Sequence, residues 1–149
     1  MTTGNQSWAF EHSIVCAVHP EFAWRFWTTV GNWALDGDVE SVELEGPFAA
    51  GTRGITMSKS SGRIDWRIAE LRAGEAVIEF PLPRAVGRFR WVFEAVAEGT
   101  RITQRCTIEG EEAGTYAQSV GPALEAGVPD GMQKLCTSMV EAARRPAAT

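Results

Sequence analysis

The sequence has few of the residues from which covalent or metal-dependent sites are built. It holds three cysteines and two histidines in 149 residues, and none of them cluster at metal-ligand or disulfide-framework spacing. Cys16, Cys106 and Cys136 lie within apolar patterns, so we expect three small buried side chains. The sequence also contains no nucleophile elbow, Walker loop or dinucleotide fingerprint. We therefore predict no metal site and no cofactor.

Long apolar runs and blocks of like charge are missing too. No run approaches the ~20 residues of a membrane-spanning helix, and the N-terminal MTTGNQSW lacks the basic and apolar regions of a signal peptide. The net charge is −5 without a Lys/Arg block, which makes nucleic acid a poor partner. These features predict a cytoplasmic protein. They leave its oligomeric state, monomer or homodimer, open.

What the sequence does contain is a series of alternating segments. Over residues 8–18, apolar side chains and His12 recur at every second position, which predicts a half-buried strand that ends before Pro20. Further segments of this kind, bounded by turn residues, span 39–45, 51–58, 63–71, 75–80, 86–96 and 100–109. Short turns between alternating strands are typical of an antiparallel meander with one face in water.

Helical spacing appears on both sides of these strands. A short helix is predicted after Pro20 and a second around Trp33, and the last third predicts a long helix with apolar residues on one face. We expect Thr115 to cap this helix, and Pro122 and residues 127–129 to kink or divide it. The predicted fold class is α+β, with a curved seven-stranded antiparallel sheet wrapped around a long C-terminal helix, as one domain over residues 1–149.

Three segments carry a resemblance to a known superfamily. They are CAVHPEFAWRFWTTVGNW from residue 16, VELEGPFAAGTRG from residue 42, and the C-terminal helix with Leu124 and its Gly-Val-Pro break at 127–129. Through them the chain resembles, over about residues 8–144, the SRPBCC superfamily, whose START-like helix-grip fold is shared with the birch-pollen allergen group. The closest likeness is to its polyketide cyclase/dehydrase-like branch. The resemblance implies a cavity for lipids, sterols, polyketides or plant hormones.

One departure from the family pattern lies near the implied mouth of this cavity. Many relatives continue Asn-Trp with a second tryptophan before an acidic turn, whereas this chain reads NWALDGDV from Asn32. If that tryptophan shapes the mouth in relatives, the mouth differs here around Asp36 and Gly37.

We predict that a hydrophobic small molecule, polyketide, aromatic or lipid-like, binds between the sheet and the long helix. A flat apolar wall suits such a ligand. The predicted ligand contacts are inward-facing apolar residues: Met57, Trp66, Ile78, Phe80, Phe89, Trp91, Phe93, Cys106, Met132, Cys136 and Met139. Ordinary core packing is expected to account for about half of the aromatic ones. Trp27 and Trp33 are assigned to supporting the short helices.

A polyketide cyclase or dehydratase is the first alternative, and it would need polar side chains in the pocket to move a proton. His12 would serve as acid or base, Gln104 would orient a ligand carbonyl or hydroxyl, and Tyr116 would place its hydroxyl nearby. Each residue also has a purely structural interpretation as a satisfied buried polar group or a packing residue. Asp65 and Arg67 would replace them only if a bulge inverted the faces of their strand.

A protein-partner-binding module is the second alternative. It requires an exposed apolar patch of several hundred Å² around Trp24 and Trp33. A uniformly polar exterior would count against it.

Overall fold

A computed structural model, which describes residues 6–35, 39–60 and 62–145, contains one antiparallel sheet and a set of helices. The strands are β1 (Gln6–Cys16), β2 (Val39–Leu44), β3 (Arg53–Ser58), β4 (Gly62–Arg72), β5 (Glu75–Leu82), β6 (Ala85–Val96) and β7 (Gly99–Gly110). The helices are α1 (Pro20–Thr28), a 3₁₀ helix (Val30–Leu35), α2 (Ala113–Ser119) and α3 (Gly121–Arg144). The strand order is β1-β7-β6-β5-β4-β3-β2. The predicted fold class is confirmed, whereas Asp36 and Gly37 lie outside the described residues.

Alternation along the strands decides which side chains enter the core. In β4, Trp66 and Ile68 are buried while Asp65 and Arg67 are exposed, as predicted. The exposed face carries cross-strand ion pairs, and Arg67 lies 2.8 Å from Glu79 of β5. Burial raises the pKa of the Glu79 carboxyl. Hydrogen bonds from Arg67 and Arg88 outweigh this effect and hold the pKa below its usual value.

The prediction of which β3 residues face the core is wrong. Met57 was expected to face the core, but its side chain is 37% exposed. The register with β4 pairs Gly54 with Trp66 and Thr56 with Ile64, so the inward positions of β3 are the glycine and the threonine. The apolar residues of this strand therefore lie on the outer face.

Helix α3 packs on the β1 side of the sheet. Its buried residues are spaced at helical intervals: Val128, Met132, Cys136 and Met139. The Cys16 thiol of β1 donates to the carbonyl oxygen of Cys136 at 3.6 Å. Of all the strands, β1 makes the most extensive backbone contact with α3. This position leaves space between α3 and the central strands.

One expectation for the C-terminal helix is wrong, and another holds in part. Glu112, not Thr115, occupies the N-cap of α2, and the threonine hydroxyl donates to the Glu112 carboxylate at 3.0 Å. The division predicted near Pro122 is confirmed, because the break falls at Val120 and α3 has Pro122 in its first turn, whereas Pro129 lies inside a continuous α3 and does not divide it. Proline is well suited to the first turn of a helix because the N–H that it lacks has no partner there.

Gly127 weakens α3 without a packing reason. A Cβ added at this position meets no atom within 4 Å. Since glycine inside a helix costs roughly 0.5–1 kcal/mol relative to alanine, Gly127→Ala is expected to raise the free energy of unfolding by about that amount. Urea denaturation followed by circular dichroism measures this change, and a lower stability would contradict the open surroundings of this residue.

Candidate functional site

A cavity of about 780 Å³ lies between the sheet and α3. This volume falls in the range of roughly 300–1,000 Å³ found for ligand pockets. The sheet contributes Thr56, Ile64, Trp66, Ile78, Phe80, Phe89, Trp91 and Gln104. Opposite them lie residues of α1, the 3₁₀ helix and α3, including Trp27, Asn32, Trp33, Leu124, Val128, Met132 and Leu135. The lining is therefore mostly apolar and rich in aromatic rings.

Four tryptophans form a continuous part of this wall. The Trp27 ring centroid lies 5.1 Å from that of Trp91 and 5.4 Å from that of Trp33, which in turn lies 5.2 Å from Trp66. The Trp33 indole N–H donates to the Trp27 carbonyl oxygen at 2.7 Å, and the Trp66 indole N–H donates to the Thr56 hydroxyl at 2.9 Å. Because these hydrogen bonds hold the Trp33 and Trp66 rings in place, this part of the wall is formed before any ligand arrives.

Two strand glycines give the cavity aromatics their positions. A Cβ added to Gly54 would lie 2.3 Å from the Trp66 ring, and one added to Gly87 would lie 2.0 Å from the Phe80 ring. Each glycine is the cross-strand partner of the ring that covers it. Only glycine leaves room for an aromatic ring directly above the backbone of the neighbouring strand.

Gln104 is a buried polar group at the cavity. On β7 it shares one face with the buried residues Ile102 and Cys106, and it is 7% exposed. No residue in the described ranges forms a hydrogen bond with its side-chain amide. Within the same ranges, no side-chain nitrogen or oxygen sealed from solvent lacks a partner, so the amide atoms reach the cavity space. An amide both donates and accepts, and it therefore fits a ligand carbonyl or hydroxyl.

The family of the chain follows from its sequence profile. The profile described as polyketide cyclase / dehydrase and lipid transport matches residues 7–144. The chain belongs to this family. The predicted resemblance is thus confirmed. A search of curated protein sequences gave no match.

Solved structures share the helix-grip fold of this family member. Ara h 8.0201 is 14% identical, with a TM-score of 0.74 and coverage of 91% of this chain and 99% of its own. Norcoclaurine synthase from Thalictrum flavum is 12% identical, with a TM-score of 0.72 and coverage of 91% and 87%. The di-domain ARO/CYC BexL from the BE-7585A biosynthetic pathway is 18% identical, with a TM-score of 0.66 and coverage of 94% of this chain but 51% of its own.

The three predicted catalytic residues do not meet at the cavity of this polyketide cyclase/dehydrase family member. Of the three, Gln104 lines the cavity. His12 is its cross-strand partner on β1 and is half-buried, but it lies outside the lining. The Tyr116 hydroxyl donates to the carbonyl oxygen of Pro83 at 3.1 Å, also away from the lining. Catalytic roles for these residues stay predictions.

The structure distributes the predicted ligand contacts among the core, the outer face of the sheet and the cavity lining. Phe93, Cys106, Cys136 and Met139 are buried in the core outside the lining, and Met57 lies on the outer face. Those that line the cavity are Trp66, Ile78, Phe80, Phe89, Trp91 and Met132. Trp27 and Trp33 were assigned to supporting the short helices, but both also form the wall. The signal for this role in the sequence was that both tryptophans lie in the apolar helical segments that follow β1.

The surroundings of Trp24 and Trp33 do not provide the patch that a partner-binding module would need. Both are partly buried, and Trp24 packs against Trp27 and Phe93 with ring centroids 5.6 and 5.3 Å apart. Within the described ranges, the exposed large hydrophobic residues are Val15 and Met57. None of the helices in these ranges is long and apolar enough to cross a membrane.

The three cysteines are free and buried, as predicted. Burial raises the pKa of the Cys106 thiol to about 12, and burial together with a hydrogen bond to Cys136 raises the pKa of Cys16. Because the thiolate is the reactive form, we expect folded protein to resist a disulfide reagent such as DTNB at pH 8 and all three thiols to react after denaturation. Rapid reaction of the folded protein would contradict the burial.

Proposed function

We propose that this protein binds a hydrophobic small molecule with a flat ring body in the cavity between the sheet and α3. In this proposal Gln104 hydrogen-bonds a carbonyl or hydroxyl of the ligand. The observation that carries it is a tryptophan-walled cavity of about 780 Å³ with one buried amide that has no partner among the residues that the structure describes. An apolar wall with a few convergent polar groups is typical of small-molecule sites.

The charges near the cavity favour an uncharged ring body. The lining contains Arg63, Asp65 and Lys134, and each lies in an ion pair. Arg63 lies 3.0 Å from Asp65, with their side chains 61% and 60% exposed, and Lys134 lies 3.1 Å from Asp130. These groups lie at the solvent side, whereas a charge placed against the tryptophans would lose its hydration without gaining a partner.

A fold relative supports an aromatic ligand class. Norcoclaurine synthase from Thalictrum flavum has been solved in complex with dopamine and hydroxybenzaldehyde, both of which are small aromatic molecules. The description of the family likewise joins polyketide chemistry with lipid transport. Both facts agree with a ring-shaped or lipid-like ligand.

Calorimetric titration with 2-naphthol and naphthalene tests this function. Both should fit the aromatic wall, and 2-naphthol adds one hydroxyl for Gln104. The substitution Gln104→Met, which keeps the length of the side chain but removes the amide, should weaken 2-naphthol binding by about two- to tenfold through one lost hydrogen bond. Naphthalene binding should stay unchanged. The function fails if neither compound binds the wild-type protein.

A cyclase or dehydratase activity is the second candidate, favoured by the same buried amide. An amide donor can stabilise the negative charge that develops on a carbonyl oxygen during proton abstraction. Since His12 and Tyr116 lie outside the lining, we expect His12→Ala to leave any such turnover intact and Gln104→Met to lower it. A loss of turnover in His12→Ala, with unchanged stability, would restore His12 as the acid–base candidate.

A further inference from the structure

Strands β4 and β5 pair over only part of their length. Their register runs from Arg72 opposite Glu75 to Arg67 opposite Glu79, although β4 begins at residue 62 and β5 ends at residue 82. Residues 62–66 still pair with β3, and residues 80–82 still pair with β6. The sheet therefore continues on both sides of a gap, here called the seam, which separates the start of β4 (residues 62–66) from the end of β5 (residues 80–82).

A proline and two inclined rings keep this seam open. Pro81 has no N–H to donate to a neighbouring strand, which suits a locally unpaired strand edge. In a continued register, Trp66 would lie opposite Phe80. Instead Trp66 covers Gly54 of β3 and Phe80 covers Gly87 of β6, so the two rings lean away from each other.

Open space lies on both sides of the seam. The ligand cavity occupies the inner side, and a groove of about 490 Å³, here called the outer groove, occupies the other. Both spaces are lined by Arg63, Asp65, Trp66 and Pro81. Because the same residues line both spaces, a single layer of side chains separates the cavity from the outer groove at the seam.

We propose that the seam is a second opening of the cavity, through which the polar tail of a bound ligand passes into the outer groove. This inference rests on the proposed function and deepens it. The ring body lies against the tryptophan wall, and the tail leaves between Trp66 and Pro81. The ligand class is then an amphiphile that joins a flat apolar ring system to a hydrogen-bonding chain.

The outer groove favours a neutral tail. Its charged side chains are balanced in number, with three arginines and three carboxylates: Arg53, Arg63, Arg67, Glu45, Asp65 and Glu79. Two ion pairs, Arg63 with Asp65 at 3.0 Å and Arg67 with Glu79 at 2.8 Å, already compensate most of this charge. These paired groups offer both donors and acceptors, which suits ether, hydroxyl or amide groups better than an anion.

Two probes and two variants test the route of the tail. The probes are 2-naphthol and the 2-naphthyl monoether of tetraethylene glycol, which carries a neutral chain ending in a hydroxyl. Arg53→Ala changes the outer groove alone, because Arg53 lines the groove and not the cavity. The matched control Lys134→Ala changes the α3 side alone, because Lys134 lines the cavity and not the groove.

We expect Arg53→Ala to weaken binding of the ether by about three- to tenfold, through the loss of hydrogen bonds, and to leave 2-naphthol unaffected. The backbone amide resonance of Arg53 should shift with the ether and not with 2-naphthol. The inference is overturned if the ether responds to Lys134→Ala and ignores Arg53→Ala, or if 2-naphthol binds and the ether does not. If neither probe binds, the proposed function itself fails, and the inference fails with it.

Discussion

Replacing Met139 with alanine is expected to lower the free energy of unfolding by about 2–5 kcal/mol. Met139 is fully buried in the core that α3 shares with the sheet. Truncation removes apolar contacts and leaves a void that its neighbours fill only in part. Urea denaturation measures the loss, and the dependence of the free energy on urea concentration should stay the same.

Two other methionines show whether burial causes this loss. Met57→Ala, on the outer face, should change stability by no more than about 0.5 kcal/mol. Met132 is as buried as Met139 but also lines the cavity, so the void in Met132→Ala should join the cavity and admit a larger ring system. Equal stability losses for Met57→Ala and Met139→Ala would contradict the assigned core.

Gly54→Ala is expected to displace the Trp66 ring from the cavity wall. The added Cβ would lie 2.3 Å from the ring, so either the indole or the backbone of β3 must move. Overpacking of this kind costs roughly 1–3 kcal/mol of stability. Affinity for 2-naphthol should fall by about two- to tenfold, since one aromatic contact is lost. Denaturation and calorimetry give the two values.

A second substitution separates steric displacement from a general effect of removing glycine. In the Gly54→Ala background, Trp66→Leu should cost less stability than Trp66→Leu costs in the wild-type protein, because the clash has gone. The two substitutions should therefore be coupled by about 0.5–3 kcal/mol. Gly127→Ala, where the added Cβ meets open space, should act in the opposite direction. Additive costs at positions 54 and 66 would contradict the assigned contact.

The sequence predicted the sheet well where apolar residues mark one face. In β1 and β4 the alternation identifies the inward residues correctly, since each strand has one buried and one wet face. Strand β3 misleads because its inward positions hold Gly54 and Thr56, and its apolar residues face outward. Its faces are set by the aromatic ring on the neighbouring strand, which no pattern within β3 reveals.

The site could be predicted only in part, for a related reason. A polar residue on an apolar face marked both His12 and Gln104, but only Gln104 lines the cavity. Alternation tells which face a side chain occupies, whereas the position of α3 against β1 decides which strands border the open space. The seam depends on the register between β4 and β5, and that register is a property of the folded sheet.

The six tryptophans allow the most direct test of binding in the cavity. Their indole ¹H–¹⁵N resonances would be followed by NMR during titration with 2-naphthol. Binding in the cavity predicts large shifts for Trp27, Trp33, Trp66 and Trp91, which line it, and small shifts for Trp8 and Trp24, which do not. Six unchanged resonances at saturating probe, or shifts confined to Trp8 and Trp24, would contradict a hydrophobic ligand site between the sheet and α3.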